Sequence, residues 1–349
     1  MDDDVHHLES GPDDLGKRLQ RANFLRELGG QVHESESTLG RQRIESAAVA
    51  TPAAAISRRT GALALVEALR PAQWAKNVFV FAGLIFGGRL LDGASILREL
   101  GAFAIFCAAA SAVYLVNDVV DREQDSRHPE KSARPIASGR LPIPLALVVA
   151  AVLAAASLAA SAALSRGLLW ILGAYLLMSL AYSAGLKRVF LVDVLMVAFG
   201  FVLRAAAGAA VLGVEISPWL LCCSFLLALF LALAKRRAEL SLLGDDAAGH
   251  RAALQQYTVP LVDRWLTALV GATIVSYALY TQSPRTVEHF GTTNLLYTLP
   301  FVVYALFRYQ QLVVRDGSGG DPGVLLSRHP GLVVALLGWA LTAALIIYR

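Results

Sequence analysis

Apolar residues run through this chain in blocks too long and too unbroken for the amphipathic helices of a water-soluble fold. A helix needs about 20 residues to cross a hydrocarbon layer of roughly 30 Å. Blocks near 73–91, 100–120, 142–164, 167–186, 189–213, 217–234, 265–282, 293–311 and 331–348 approach or meet that length. The pattern predicts an all-α, polytopic membrane bundle of about nine transmembrane helices. The eighth block has a short apolar core and is interrupted by Pro300. Polar and acidic positions dominate only ahead of the first block. A disordered cytoplasmic extension over 1–62 is therefore expected to precede one transmembrane domain over 63–349. Within the extension, Leu15 to Leu28 can also be drawn as a short amphipathic helix lying on the membrane. No basic stretch leads into a short apolar core there, so a secretory signal is not expected.

Charge orders these blocks. If the N-terminus is cytoplasmic, one set of loops carries Arg122, Arg127, Lys131, Arg134, Arg140, Lys187, Arg188, Lys235, Arg236, Arg237, Arg251, Arg264, Arg308, Arg315 and Arg328. The opposite set carries Arg89, Arg98, Arg166, Arg285 and the terminal Arg349. Basic residues collect on cytoplasmic loops, so this asymmetry predicts a multi-pass protein of the inner (cytoplasmic) membrane. The net charge of +4 over 349 residues belongs to those loops. No basic patch interleaved with aromatics accompanies it, which argues against a nucleic-acid partner. A hydrophobic content of 56% against 17% charged residues agrees with the membrane reading. Cys107, Cys222 and Cys223 all fall inside apolar blocks and have neither metal-ligand nor disulfide spacing, so they read as packing residues. The Gly-rich segment within 312–330 lacks a phosphate-loop pattern and reads as a connector.

Candidate chemistry sits where the second block ends. Asn117, Asp118, Asp121 and Asp125 fall within an arc of about 100° if the segment is helical. That much negative charge at a membrane boundary calls for a cation. Hard oxygen donors in this number suit Mg²⁺, which takes one or two carboxylates and completes its shell with water and phosphate oxygens. Lys131 and Arg134 follow closely and suit further phosphate oxygens. A diphosphate with its Mg²⁺ is the expected ligand, with Asp118, Asp121 and Asp125 as the catalytic acids and Asn117 as a fourth metal donor. His128 precedes Pro129 and reads as a turn former rather than a base. At the start of the first block, Arg70, Trp74 and Lys76 suit lipid headgroups. Lys76 and Asn77, however, open the apolar run, where polar side chains need a partner such as a bound phosphate. Tyr182 and Lys187 close the fourth block. Asp193 and Arg204 lie within the fifth; Arg204 either balances an acid or binds an anion in a cavity. Lys235 and Glu239 share a helix face beside Arg236, and read equally as a salt-bridged end or a second polar wall.

The segment Asn117-Asp118-x-x-Asp121-x-x-x-Asp125 resembles the UbiA superfamily of intramembrane prenyltransferases. A finer set of residues is similar to its decaprenyl-phosphate phosphoribosyltransferase branch. That set is Leu69-Arg70-Pro71 with Lys76-Asn77, His128-Pro129 with Lys131, Arg134 to Gly139, Tyr182-Ser183 with Lys187, and Lys235-Arg236 with Glu239. The likeness runs over about 65–349. Superfamily members typically carry a second acidic pair, Asp-x-x-x-Asp; this chain offers Asp193 but has Val197 four residues on. The resemblance implies Mg²⁺-dependent transfer of 5-phosphoribose from phosphoribosyl diphosphate to a polyprenyl (decaprenyl) phosphate, in synthesis of an arabinan cell-wall precursor. Lys76, Lys131 and Arg134 would then neutralise diphosphate oxygens, with Asn77 also among the substrate-binding residues. Lys187, Lys235 and Arg236 would hold the 5-phosphate or the lipid phosphate, and Tyr182 and Glu239 would orient ribose hydroxyls. The alternative within the superfamily is prenyl transfer from an allylic diphosphate to an aromatic or haem acceptor. A transporter would fit the span count, with Asp193 and Arg204 lining a pathway, but the charges gather at one membrane face and no inverted repeat is evident. A homo-oligomer is compatible with all of these readings.

Overall fold

The computed structural model describes residues 61–215, 217–243, 254, 256–316 and 322–348. The expected extension, apart from its last two residues, lies outside the described residues. So do parts of the two later loops on the same side, including Arg251. Every regular element among the described residues is helical. In chain order these are α1 (Gly61–Leu69), a 3₁₀ stretch (Pro71–Phe81) running into α2 (Ala82–Phe86), α3 (Gly93–Val120), α4 (Arg122–Ser126), α5 (Ile143–Leu164), α6 (Arg166–Ala184), α7 (Val192–Leu212) and α8 (Pro218–Leu243). Then come α9 (Val259–Gln282), α10 (Pro284–Phe290), α11 (Leu299–Asp316), α12 (Pro322–Arg328) and α13 (Pro330–Ile347).

The helix ends follow local chemistry. Asp92 caps α3 by accepting from the Ala94 amide at 3.1 Å and the Ser95 hydroxyl at 2.6 Å. Prolines open α8, α10, α12 and α13, where a missing N–H costs nothing. Gly213, at φ 64°, closes α7 in a left-handed turn that a Cβ would oppose.

Seven of the described helices are long and apolar enough to cross a membrane: α3, α5, α6, α7, the Pro218–Ser241 part of α8, α9 and α13. The eighth expected span is a bent pair, α10 followed by Asn294–Arg315, turning through 99°. The first expected span, 73–91, is not a regular α-helix: it is the 3₁₀ stretch plus α2. The 3₁₀ rise is about 2.0 Å per residue against about 1.5 Å in an α-helix. Its 11 residues and the 5 of α2 therefore reach about 30 Å together. A short segment thus covers the depth predicted for a longer one, and the expected count of nine regular helices is not met. The stretch lies tightly on α7. An added Cβ at Gly208 would meet the Val80 carbonyl at 1.8 Å, and one at Gly83 would meet the backbone of Gly208 and Ala209 at 2.6 Å.

Two interior clusters hold the bundle. Val80, Phe106, Leu168, Leu172 and Val211 join the 3₁₀ stretch to α3, α6 and α7. Phe230, Leu266, Leu306, Val313 and Leu332 join α8, α9, α11 and α13. Large apolar side chains face outward instead at Val148, Val152, Trp170, Leu177, Val275, Leu337 and Leu341. In water these would form an aggregating surface; in a bilayer they meet acyl chains. Following the helix directions, the end of α3, the 121–142 loop, the α6–α7 turn, the end of α8 and the start of α9 gather at one end of the bundle. That end is the mouth.

Candidate active site

Carboxylates at the C-terminal end of a helix face the negative pole of its dipole, so Asp118 on α3 and Asp121 at its cap need compensating cations. The fold supplies one from each neighbouring element. Arg70, just ahead of the 3₁₀ stretch, reaches Asp118 Oδ1 at 2.5 Å and lies over the Tyr114 ring at 5.1 Å. Arg134, from the loop after α4, bridges Asp118 at 3.3 Å and Asp125 at 2.5 Å. Lys187, in the turn between α6 and α7, reaches Asp121 at 2.5 Å and Asn117 Oδ1 at 3.2 Å. Ser183 donates to the same Asn117 oxygen at 3.3 Å. Asp118, Asp125 and Lys187 are buried, whereas Arg70 and Arg134 keep about a quarter of their side chains exposed.

The predicted acidic arc is broken, since α3 ends at Val120 and α4 begins at Arg122. Its register nevertheless survives through the backbone bonds from Asp121 to Asn117 (2.9 Å) and from Asp125 to Asp121 (2.8 Å). Arg134 touching both Asp118 and Asp125 shows that the two carboxylates converge. His128 accepts through Nδ1 from the amides of Glu130 (3.2 Å) and Lys131 (3.4 Å) and so shapes the turn that returns Arg134 to the acids.

Two predicted ligands are instead committed to partners within the protein. Asn77, 1% exposed, has its side chain committed within the bundle. Its Oδ1 accepts from Arg204 Nε at 2.7 Å, and its Nδ2 donates to Cys107 at 3.3 Å. Arg204 also donates to the Gly200 carbonyl (2.8 Å) and the Tyr175 hydroxyl (3.0 Å) and stacks on Tyr175 and Phe201. Its bonding partners are neutral protein groups, neither the acid nor the bound anion considered from sequence. Arg236 is likewise buried, with Nε on Asp193 at 2.9 Å and Nη1 on Glu239 at 2.5 Å. It balances Asp193, and Glu239 is its second partner. Lys76 and Lys235 are exposed, while Lys131 and Tyr182 are half-buried.

Sequence reasoning gave Arg70 no site role. Its place before Pro71 would ordinarily favour extended backbone, so no local signal marked it. Arg70 sits at φ 55°, ψ 59°, a left-handed conformation costing an L-residue about 1 kcal/mol. Leu191, at φ 64°, is the other such non-glycine residue among those described, and it too borders the mouth.

The donor set suits Mg²⁺ shared with phosphate. The ion pairs above engage one oxygen each of Asp118, Asp121 and Asp125, leaving the second oxygens outside those pairs. Among the described residues no three His, Cys, Asp or Glu side chains form a closed metal cage. A magnesium ion that draws part of its shell from substrate phosphates needs none. At the far end of the bundle a cavity of about 270 Å³ is lined by Phe86, Ser217, Tyr280, Arg285 and His289. Its Arg285 pairs with Glu215, and it is remote from the acids.

A lipid-facing helical bundle with acid–base pairs concentrated at one mouth defines an intramembrane protein with a charged site at one end of its spans. Residues 77–322 match the profile of the UbiA prenyltransferase family, and the chain belongs to that family. It is 35% identical over 290 residues to a decaprenyl-phosphate phosphoribosyltransferase of Corynebacterium glutamicum, covering 81% of this chain and 86% of that protein. It is 36% identical over 282 residues to one of Mycobacterium tuberculosis, covering 80% and 92%. A UbiA homolog from Archaeoglobus fulgidus, solved bound to GPP and Mg²⁺, superposes with a TM-score of 0.63 at 18% identity. That match covers 82% of this chain and all of that one, and it shows the shared fold.

Proposed function

We propose that this chain transfers 5-phosphoribose from phosphoribosyl diphosphate to a polyprenyl phosphate, with Mg²⁺, at the cytoplasmic face of the inner membrane. One observation carries the choice of donor. Asp193, which would head a second acidic pair, is buried against Arg236 and the Tyr257 hydroxyl, and Val197 stands four residues on. The strongly acidic surface is then confined to Asn117, Asp118, Asp121 and Asp125, and basic groups surround it. The relatives' names support the same reading, and the loop charge asymmetry supports the orientation.

In this reading an oxygen of the acceptor phosphate bonds to the anomeric carbon as the bond from that carbon to the diphosphate oxygen breaks. The products are polyprenylphosphoryl-5-phosphoribose and diphosphate. Bound Mg²⁺ supplies Lewis-acid stabilisation of the leaving diphosphate. The second oxygens of Asp118, Asp121 and Asp125, with the Asn117 amide, would hold it. Arg70, Arg134 and Lys187 then exchange a carboxylate partner for phosphate oxygens, stabilising charge where it develops. Lys76, Lys131 and Lys235 stand further out, suited to the 5-phosphate and the lipid phosphate, and Tyr182 to a ribose hydroxyl. The acceptor phosphate is already anionic near neutral pH, so no general base is required. The chain's lipid-facing surfaces suit an acceptor that never leaves the bilayer.

The test is to incubate purified protein with decaprenyl phosphate, Mg²⁺ and either labelled phosphoribosyl diphosphate or geranyl diphosphate. The lipid product is then identified by mass. A phosphoribosylated lipid is expected. Consumption of the allylic donor alone would assign prenyl transfer instead.

A further inference from the structure

Lys187 is held by a turn that has little regular structure of its own. Leu186–Arg188 is a single 3₁₀ turn, and three residues after it Leu191 adopts φ 64° before α7 begins. A leucine does not rest in that conformation without help. The help comes from outside the turn, from Tyr257, two residues ahead of α9. Its hydroxyl accepts from the Leu191 amide at 3.1 Å and donates to Asp193 Oδ1 at 2.7 Å. Asp193 is in turn fixed by Arg236 at 2.9 Å on its other oxygen. Phe190 packs its ring on Tyr257 at 4.8 Å and on Trp265 at 6.0 Å, so the phenol is held within an aromatic cluster.

We infer that Tyr257 is a positioning residue for the diphosphate site, setting Lys187 against Asn117 and Asp121 by pinning the Leu186–Leu191 turn from α9. Burial, reinforced by the Asp193 hydrogen bond, pushes the Tyr257 phenol well above its ordinary range. It therefore stays protonated, as a donor to Asp193, near neutral pH. The hydroxyl touches neither the acids nor Lys187 and acts through the backbone of Leu191.

This inference rests on the diphosphate site proposed above but not on ribose as the transferred group. The experiment therefore reads binding of inorganic diphosphate with Mg²⁺ to full-length protein in nanodiscs. Tyr257→Phe keeps the ring and removes the hydroxyl. It is expected to raise the apparent Kd about tenfold in the parent protein and less than twofold in a Lys187→Ala background. Equal factors in both backgrounds, or no change in the parent, would overturn the inference. A second readout separates pinning from folding. Lys187 acylation by a water-soluble ester should rise at least fivefold in Tyr257→Phe, while alkylation of the buried Cys107 and Cys223 stays at the parent level. Matching rises at all three would make Tyr257 a fold-stabilising residue and reject the positioning role. A parent protein that binds diphosphate but transfers no phosphoribose would refute the proposed function and leave this inference standing.

Discussion

Arginine is used in two opposite ways in this molecule. At the mouth, Arg70 and Arg134 are held by carboxylates and remain about a quarter exposed. In the depth, Arg204 is 7% exposed and donates to an amide, a carbonyl and a phenol while stacked on two rings. An ion pair at a wet boundary can change partners at little cost, because incoming phosphate and metal replace what each ion loses. Arg204 has no such exchange open to it. Leaving its acceptors would strand polar groups within the bundle. On the proposed function, residues of one kind thus serve chemistry at one level of the membrane and framework at another.

The sharpest break in the comparison comes from removing divalent ions. Chelation should abolish turnover, and added Mg²⁺ should restore it, with little change in the unfolding temperature, since the carboxylates then fall back on Arg70, Arg134 and Lys187. Turnover that persists in chelator would remove the metal from the mechanism. Next in size is Asp125→Ala. Loss of one group that helps stabilise the leaving diphosphate should lower kcat by about 10³-fold. Arg134 retains Asp118, so folded yield should stay near the parent level. Steady-state kinetics on protein of matched monodispersity would check both.

Arg204→Met should show the reverse profile. Three interhelical or backbone hydrogen bonds, at about 0.6 kcal/mol each inside a membrane, give a destabilisation of about 2 kcal/mol. Activity per folded molecule should stay within threefold. A large loss of kcat in folded Arg204→Met protein would place Arg204 in the site and end the distinction. Asn77→Ala should follow Arg204 rather than Asp125, with the donor KM unchanged.

The helices of this bundle were legible because apolar runs of twenty residues have one economical use. What the runs hid was the 3₁₀ stretch, where the same composition extends as far with fewer residues, and the bend between Phe290 and Asn294 at the start of the eighth block. The acids stood out because they repeat at helical intervals where an apolar block ends, and Arg134 because it follows them closely. Spacing, however, assigned each basic residue to phosphate; that Arg134 and Lys187 pair with the acids depends on how the 121–142 loop and α6 return to α3. Arg236 and Asn77 were misread for a rotational reason. Successive residues point about 100° apart in an α-helix and about 120° apart in a 3₁₀ helix. Lys235 therefore faces out while Arg236 turns inward to Asp193, and Asn77 faces Arg204 while Lys76 does not. Arg70 could not be placed, since its direction depends on a left-handed backbone that no propensity favours.

The weakest test falls on a pair that belongs to neither class. Arg140 meets Glu67 of α1 through two parallel bonds of 2.9 and 3.0 Å and also donates to the Ala133 carbonyl, tying α1 to the loop that carries Lys131 and Arg134. The hydrogen bond to Glu67 holds the Arg140 guanidinium above its ordinary range. A cation with a raised folded pKa contributes fully below its unfolded pKa and loses that contribution only as pH climbs through the folded one. The arginine side of this clamp is therefore constant across neutral pH. Both partners are partly exposed, so Glu67→Gln should cost only about 0.5 kcal/mol, shrinking further in 1 M salt. The diagnostic is what accompanies that loss. If the clamp only tethers α1, diphosphate binding stays unchanged at both salt concentrations. If it also sets the reach of Arg134, the apparent Kd rises about twofold at low salt and recovers in Glu67→Asp, which would extend the exchangeable mouth by one more layer.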